Sequence, residues 1–383
     1  MATYFFETIT DAQASSYSQD DDNLVFGQLG ETAATTTVIY NAATATSGAT
    51  VTLISGLTGK TVTFPGTFAG EQPIFPDSSL LFVGGAGTDN AAGNAASDGL
   101  YGGAGADTLD GAGGADVLQG NQGDDSLVGG AGNDTIYGGR DNDTIAVNGG
   151  SNFAQGNLGN DTISADTSTG ASTLLGGQGN DEVTGGAGAD FLNGNIGNDT
   201  LVGGTGNDTL LGESGDDQIS SSSAEGSTVN IDGGSGNDSI TLTDANGVIA
   251  GGTGDDTIEQ AVSGANIGTT ATSIQGNAGN DSVTTDNAGT NTVLGGQGND
   301  TIVNTAAAGG TDLFNGNLGN DSLVSGTGAD NLIGEDGTDT LDGGAGNDTL
   351  DGGAGADSII SGAGNDNISG GDGADNLTNP VGG

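Results

Sequence analysis

From Gly84 onward the chain repeats a nine-residue unit, GGxGxD followed by x-U-x, where U is aliphatic. Asp stands at the sixth position 23 times between Asp89 and Asp375, and Leu, Ile or Val stands two residues later in 22 of them. The exception is Asp89, which is followed by Ala91. Two residue classes locked in phase over three quarters of a chain are not low-complexity drift. A fixed short period marks a stacked array, in which each unit buries its apolar side on its neighbours.

The spacing of the Asp residues shows how the units stack. Nine-residue steps run in blocks, from Asp107 to Asp143, Asp181 to Asp217 and Asp321 to Asp375, and between blocks the steps are 18 to 25. If one coil holds two units, each coil has a turn at either edge. One edge then carries an unbroken series: Asp89, Asp107, Asp125, Asp143, Asp161, Asp181, Asp199, Asp217, Asp238, Asp256, Asp281, Asp300, Asp321, Asp339, Asp357 and Asp375. The other carries patches: Asp116 and Asp134, then Asp190 and Asp208, then Asp330, Asp348 and Asp366. Between the patches stand ordinary polar turns such as "SADTSTGAS" and "SSSSAEGS".

Six residues of turn leave three of strand. Side chains alternate faces along a strand, so only the U residue points inward. Stacked coils thus bury files of Leu, Ile and Val, which Phe153, Phe191 and Phe314 are expected to thicken. Such a core is thin. Glycine loses more backbone freedom on folding than any other residue, and the chain has 80 of them. Something must bind the turns.

The Asp residues supply a candidate. A Gly-rich turn with one Asp offers several carbonyls and one carboxylate, the oxygen ligands that Ca²⁺ takes six to eight at a time. Zn²⁺ and Cu²⁺ favour His or Cys, and the chain has neither. Mg²⁺ holds its waters and wants a regular octahedron, so carbonyl-rich turns favour Ca²⁺. All 23 Asp residues named above are candidate ligands. One ion between adjacent turns gives up to about 19 sites, which would offset roughly 38 negative charges. The metal-free chain is then expected to be expanded, with the metal driving folding.

The charge narrows the partners. There are 51 acidic residues against two basic ones, Lys60 and Arg140, for a net charge of −49. Nucleic acid needs Lys and Arg on the protein side and is excluded as a natural partner. No apolar run is long enough for a membrane-spanning helix. Absence of Cys leaves no disulfides. The start, "MATYFFETITDAQASS", lacks the basic and apolar segments of a Sec-type signal peptide.

Residues 1–83 differ in composition, with three of the four prolines and only seven glycines. The runs "TTTVIY", "ATVTLISGL" and "KTVTFPGTF" alternate Thr with Val, Ile and Phe. They predict short strands in a small β domain or an N-terminal cap that assembles or anchors the chain. Residues 84–383 form the repeat domain.

Stretches such as "GGAGNDTLDGGAGADSII" resemble the nonapeptide of the RTX, or hemolysin-type, calcium-binding repeat family. That resemblance implies an all-β fold, a parallel right-handed β-roll (β-solenoid) with Ca²⁺ between turns. It also implies type I secretion and folding outside the cell. Some units depart from the pattern. "GGRDND" puts Asp141 in place of the fourth Gly, and Ser325 and Ser361 replace the first Gly, a change that a carbonyl site is expected to tolerate. After Asp375 only "NLTNPVGG" follows, where many relatives have a secretion segment.

Many RTX proteins join their repeats to an enzyme. With no His and no Cys, neither a zinc protease helix, nor a Ser-His-Asp triad, nor a thiol nucleophile can form. A carboxylate-pair glycosidase, lyase or epimerase is not excluded by composition. Such enzymes handle acidic sugars with Lys, Arg, His or Tyr, which are scarce here, so a non-enzyme is expected. The low Lys, the acidic balance and the abundance of Thr, Ala, Gly and Asn are similar to RTX-type bacterial S-layer and cell-surface proteins. The expected function is a secreted structural protein that assembles with itself, head to tail, into an S-layer or filament. The alternative is a surface adhesin or ligand-binding module, with cell-surface polysaccharide as a partner. Ice binding through regular turn Thr residues is not favoured, because the third turn position is irregular. Leu158, Ile196 and Leu318 occupy that position and are expected to tuck against neighbouring turns.

Overall fold

The computed structural model describes residues 3–16, 23–26, 31–41, 50–65, 75–222, 227–244, 246–261, 272–286, 289–306 and 309–379. The end of "KTVTFPGTF", Pro73, part of "SSSSAEGS" and the last four residues lie outside them. The chain divides into two compact units, Met1–Gly188 and Ala189–Gly383.

Repeats in both units form a parallel β-solenoid. Strands alternate between two sheets, and each pairs in parallel with the strand one coil away. In the first unit Val117–Gln122 lies between Gly99–Ala104 and Thr135–Arg140. On the opposite side Ser126–Val128 lies between Thr108–Asp110 and Thr144–Ala146. The second unit repeats the scheme, as where Thr257–Ala261 pairs with Ser239–Thr243 and Ser282–Thr285. Where Thr or Ser follows the Asp it points outward, exposed as at Thr108 and Ser126 or half-buried as at Thr135 and Thr200, and the U residue is inward. Leu100, Leu118 and Ile136 stack in register on one side, and Leu109, Leu127 and Ile145 on the other, all buried. Ala91, in the short strand Asn90–Ala92 beside Leu109, is buried as well.

Strand parity corrects one expectation. Phe314 joins the core, but Phe153 and Phe191 are only half-buried and face outward. Each follows a sixth-position residue, Asn152 or Asp190, by one step instead of two, so the inward places go to Ala154 and Leu192. Tyr137 covers the ring of Phe153 from the neighbouring strand, with centroids 5.6 Å apart.

The N-terminal segment packs onto the first coil. Thr37–Asn41, Thr50–Ile54 and Thr61–Pro65 form an antiparallel sheet, and Thr3–Phe5 pairs in parallel with Asn23–Val25. Alternation of Thr with Val, Leu and Phe puts Val51, Leu53, Val62 and Phe64 on the buried face. The rings of Phe6, Phe26 and Phe75 stack at 4.4 and 4.3 Å. This core continues into Leu81, Val83 and Tyr101 of the solenoid. A short helix, Asp11–Ala14, is started by a capping box between Thr10 and Gln13.

Candidate metal-binding edges

The turns place the sixth-position Asp residues in two lines. On the unbroken edge each Asp binds its neighbour through one carboxylate oxygen. In the first unit the N–H of Asp89 donates to Oδ1 of Asp107 at 2.7 Å, Asp107 to Asp125 at 2.8 Å, Asp125 to Asp143 at 2.9 Å, Asp143 to Asp161 at 2.7 Å and Asp161 to Asp181 at 2.8 Å. In the second unit the same bond links Asp199, Asp217, Asp238, Asp256, Asp281, Asp300, Asp321, Asp339, Asp357 and Asp375 in order. The interrupted edge has it between Asp116 and Asp134, Asp190 and Asp208, Asp330 and Asp348, and Asp348 and Asp366.

The second oxygen is the informative one. Among the described residues, Oδ2 is buried without a hydrogen-bond partner at Asp107, Asp125, Asp143, Asp161, Asp217, Asp238, Asp256, Asp281, Asp300, Asp321, Asp339 and Asp357 of the unbroken edge. The same holds at Asp116, Asp134, Asp208, Asp348 and Asp366 of the other. A buried carboxylate oxygen without a partner is costly, and it marks a place for a cation. Asp89 differs, because its Oδ2 accepts the Gly85 N–H at 2.7 Å.

Except at Asp366, whose first turn position is Ser361, each such oxygen faces a cradle that only glycine leaves open. A Cβ built on Gly111 would stand 2.5 Å from both Asp116 Oδ2 and the Gly129 carbonyl oxygen of the next coil. A Cβ on Gly343 would stand 2.9 Å from Asp348 Oδ2 and 2.8 Å from the Ser361 carbonyl oxygen. Carboxylate and carbonyl oxygens from successive coils thus converge on one point, and the donor set fits a hard cation such as Ca²⁺. Among the described residues no three acidic side chains gather, so carbonyls must supply most of any ligand shell. Two departures alter the cradle. Ser325 brings a hydroxyl that donates to the Gly343 carbonyl at 3.0 Å. Asp141 takes the fourth Gly position at φ +73°, and its carboxylate accepts the Gly123 N–H at 3.1 Å.

Burial dominates the electrostatics of the metal-free turns. It pushes the Asp143 carboxyl up to about 8, with Asp161 and Asp125 adding repulsion and the Asp125 N–H opposing it. Asp116, Asp217, Asp256 and Asp300 rise to about 7 for the same reasons.

Strand register also reveals residues that motif counting missed. Asp98 stands in the sixth position of the degenerate unit "GNAASD", and its Oδ1 and Oδ2 accept the Leu80 and Asn94 N–H groups, each at 2.6 Å. Asp312 holds the equivalent place before Asp330, whose Oδ1 accepts the Asp312 N–H at 2.9 Å. The signal was present, since Asp98 lies nine residues from both Asp89 and Asp107, and Asp312 nine before Asp321. Only the glycines had gone. Between the patches Asn152 takes the same place, accepting the Asp134 N–H at 2.8 Å. Further on, Val229 and Gly247 pair as neighbours in strands lengthened to eight residues, Thr228–Ser235 and Asn246–Thr253.

A second ladder runs one residue earlier on the unbroken edge. Asn160 donates its N–H to Asn142 Oδ1 at 2.7 Å, and Asn180 to Asn160 at 2.8 Å. In the second unit Asn237 donates to Asp216, Asp255 to Asn237, Asn280 to Asp255 and Asn299 to Asn280. These bonds run towards the preceding coil, opposite to those of the sixth-position Asp. Leu158, Ile196 and Leu318 do not tuck in as expected. They are 41%, 57% and 50% exposed, because the third turn position points outward.

The model of the RTX calcium-binding nonapeptide repeat matches the chain in overlapping stretches from residue 83 to 223 and again over 230–258, 268–302 and 307–377. The matches span well over half of the chain, which therefore belongs to this family of calcium-binding repeat proteins. No curated protein matches it. No described helix is long and apolar enough to cross a membrane.

Proposed function

We propose that this chain is a secreted, calcium-dependent structural protein that folds on Ca²⁺ and assembles with its own copies into an extracellular layer or filament. The observation that carries the calcium reading is the repeated Oδ2 atom, buried, unpartnered and aimed into a glycine cradle. The 23 repeat Asp residues are the proposed ligands, with up to about 19 ions in all. Residues 1–83 serve as the N-terminal cap. Export by type I secretion follows from the family resemblance, with the chain unfolded while Ca²⁺ is scarce.

What supports assembly is the composition, poor in Lys, free of Cys and rich in Thr, Ala, Gly and Asn, which is similar to that of RTX-type surface-layer proteins. A non-enzymatic role is supported by the absence of His and Cys from the sequence and by its two basic residues. The second reading, an adhesin, draws on the exposed Leu158, Ile196 and Leu318.

Dialysis into EGTA and back into millimolar Ca²⁺ tests both levels. Far-UV circular dichroism and particle size are followed together. Gain of β signal with growth of particles is expected. Gain of β signal in strictly monomeric particles favours the adhesin, and no change in either overturns the calcium reading.

A further inference from the structure

Asp312 stands in line with the other sixth-position Asp residues but has different surroundings. Its carboxylate is buried, and both oxygens are taken. Asn304 Nδ2 donates to Oδ2 at 2.7 Å, while the Asn291 N–H and Nδ2 donate to Oδ1 at 2.9 and 3.0 Å. At Asp348 the contrast is complete, since Oδ1 accepts one backbone N–H, from Asp330, and Oδ2 is buried without a partner. The sequence differs too: five residues before Asp348 stands Gly343, whose missing Cβ leaves the cradle open, and five before Asp312 stands Ala307.

We propose that Asp312 is a metal-free member of the line, in which Asn304 and Asn291 supply by hydrogen bonding what Ca²⁺ supplies at Asp348. The inference rests on the calcium reading of the neighbouring turns. A buried carboxylate is tolerated when charge-assisted hydrogen bonds surround it. Three amide N–H groups point their positive ends at Asp312, and a cation placed there would meet those hydrogens. Two coils before Asp312, Gln260 Nε2 donates to Thr272 Oγ1 at 2.7 Å across the same edge, with both residues buried. Side-chain amides thus stitch this part of the interrupted edge where the Asp residues are missing. The edge keeps its coils joined there without an ion, and sites resume with the glycine turns that follow.

Native mass spectrometry of the full chain at millimolar Ca²⁺ counts bound ions one by one. Asp312→Asn is expected to bind the same number as the parent chain, and Asp348→Asn at least one fewer. Loss of an ion in both variants overturns the proposal. An unchanged count in Asp348→Asn instead sinks the calcium reading itself. If Asp312→Asn fails to fold, Asn304→Asp decides. Placing a second carboxylate against Asp312 and removing an amide donor should add one ion, and an unchanged count overturns the proposal.

Discussion

At the residue scale the unit works because its Asp has two oxygens with separate tasks. Oδ1 caps the N–H of the preceding coil's Asp, and Oδ2 turns into the cradle. The first Gly makes room for the second task. A Cβ on Gly251 would meet Asp256 Oδ2 and stand 2.9 Å from the Gly276 carbonyl oxygen. Gly251→Ala should therefore remove an ion and raise the Ca²⁺ needed for folding, although it replaces no carboxylate ligand. The fourth Gly has a different reason. Gly254 sits at φ +124°, where an L side chain is strained at a cost of about 1–3 kcal/mol. Gly254→Ala should lower thermal stability in saturating Ca²⁺, whereas Gly251→Ala should act chiefly through the Ca²⁺ midpoint. Calorimetry at two Ca²⁺ concentrations separates them. Equal losses at both concentrations for Gly251→Ala would refute the cradle.

At the element scale, much of this was legible because the Asp and the aliphatic residue keep a fixed phase. Leu109, Leu127 and Ile145 could be placed in the core from their spacing alone. Where the glycines disappear the phase persists without the motif, and Asp98 and Asp312 were lost from view for that reason. Phe153 and Phe191 misled because size was weighed before parity. The Asn ladder beside the Asp line gave no periodic apolar signal, and its partners are 18 to 25 residues apart. The Thr-rich strands near the N-terminus were readable, but the group that ties them was not. Glu31, 1% exposed, accepts Ser55 Oγ at 2.7 Å, the Gly56 N–H at 2.9 Å, and the Leu57 N–H and Thr36 Oγ1 at 3.3 Å. It holds the turn after Thr50–Ile54 to the chain before Thr37. Glu31→Gln turns an amide against those donors, and a loss of about 2–4 kcal/mol is expected. Hydrogen exchange of the peptides spanning 31–64 reads it directly. Protection equal to the parent's would show that Glu31 is dispensable.

For the whole molecule the question is how a chain of net charge −49 closes on itself. Without metal it can do so by holding protons. Burial keeps Asp143 near 8 and Asp116, Asp217, Asp256 and Asp300 near 7, against the usual 3.8. Between those values the folded chain binds more protons than the unfolded chain, so raising the pH favours unfolding. The stabilisation is fully present below 3.8 and is lost as the pH rises through about 7 to 8. On the proposed reading calcium acts on the same oxygens and must displace those protons. Two results follow. In EGTA the β signal should strengthen as the pH falls from about 8 to about 5, while in saturating Ca²⁺ it should be nearly constant over that range. Calcium titration near pH 6 should also release protons, visible as a binding heat that changes with the ionisation enthalpy of the buffer, and the release should fade near pH 9. A heat independent of buffer at pH 6 would mean that ions and protons do not compete for the Asp lines, and the sites would have to be sought among the carbonyls alone.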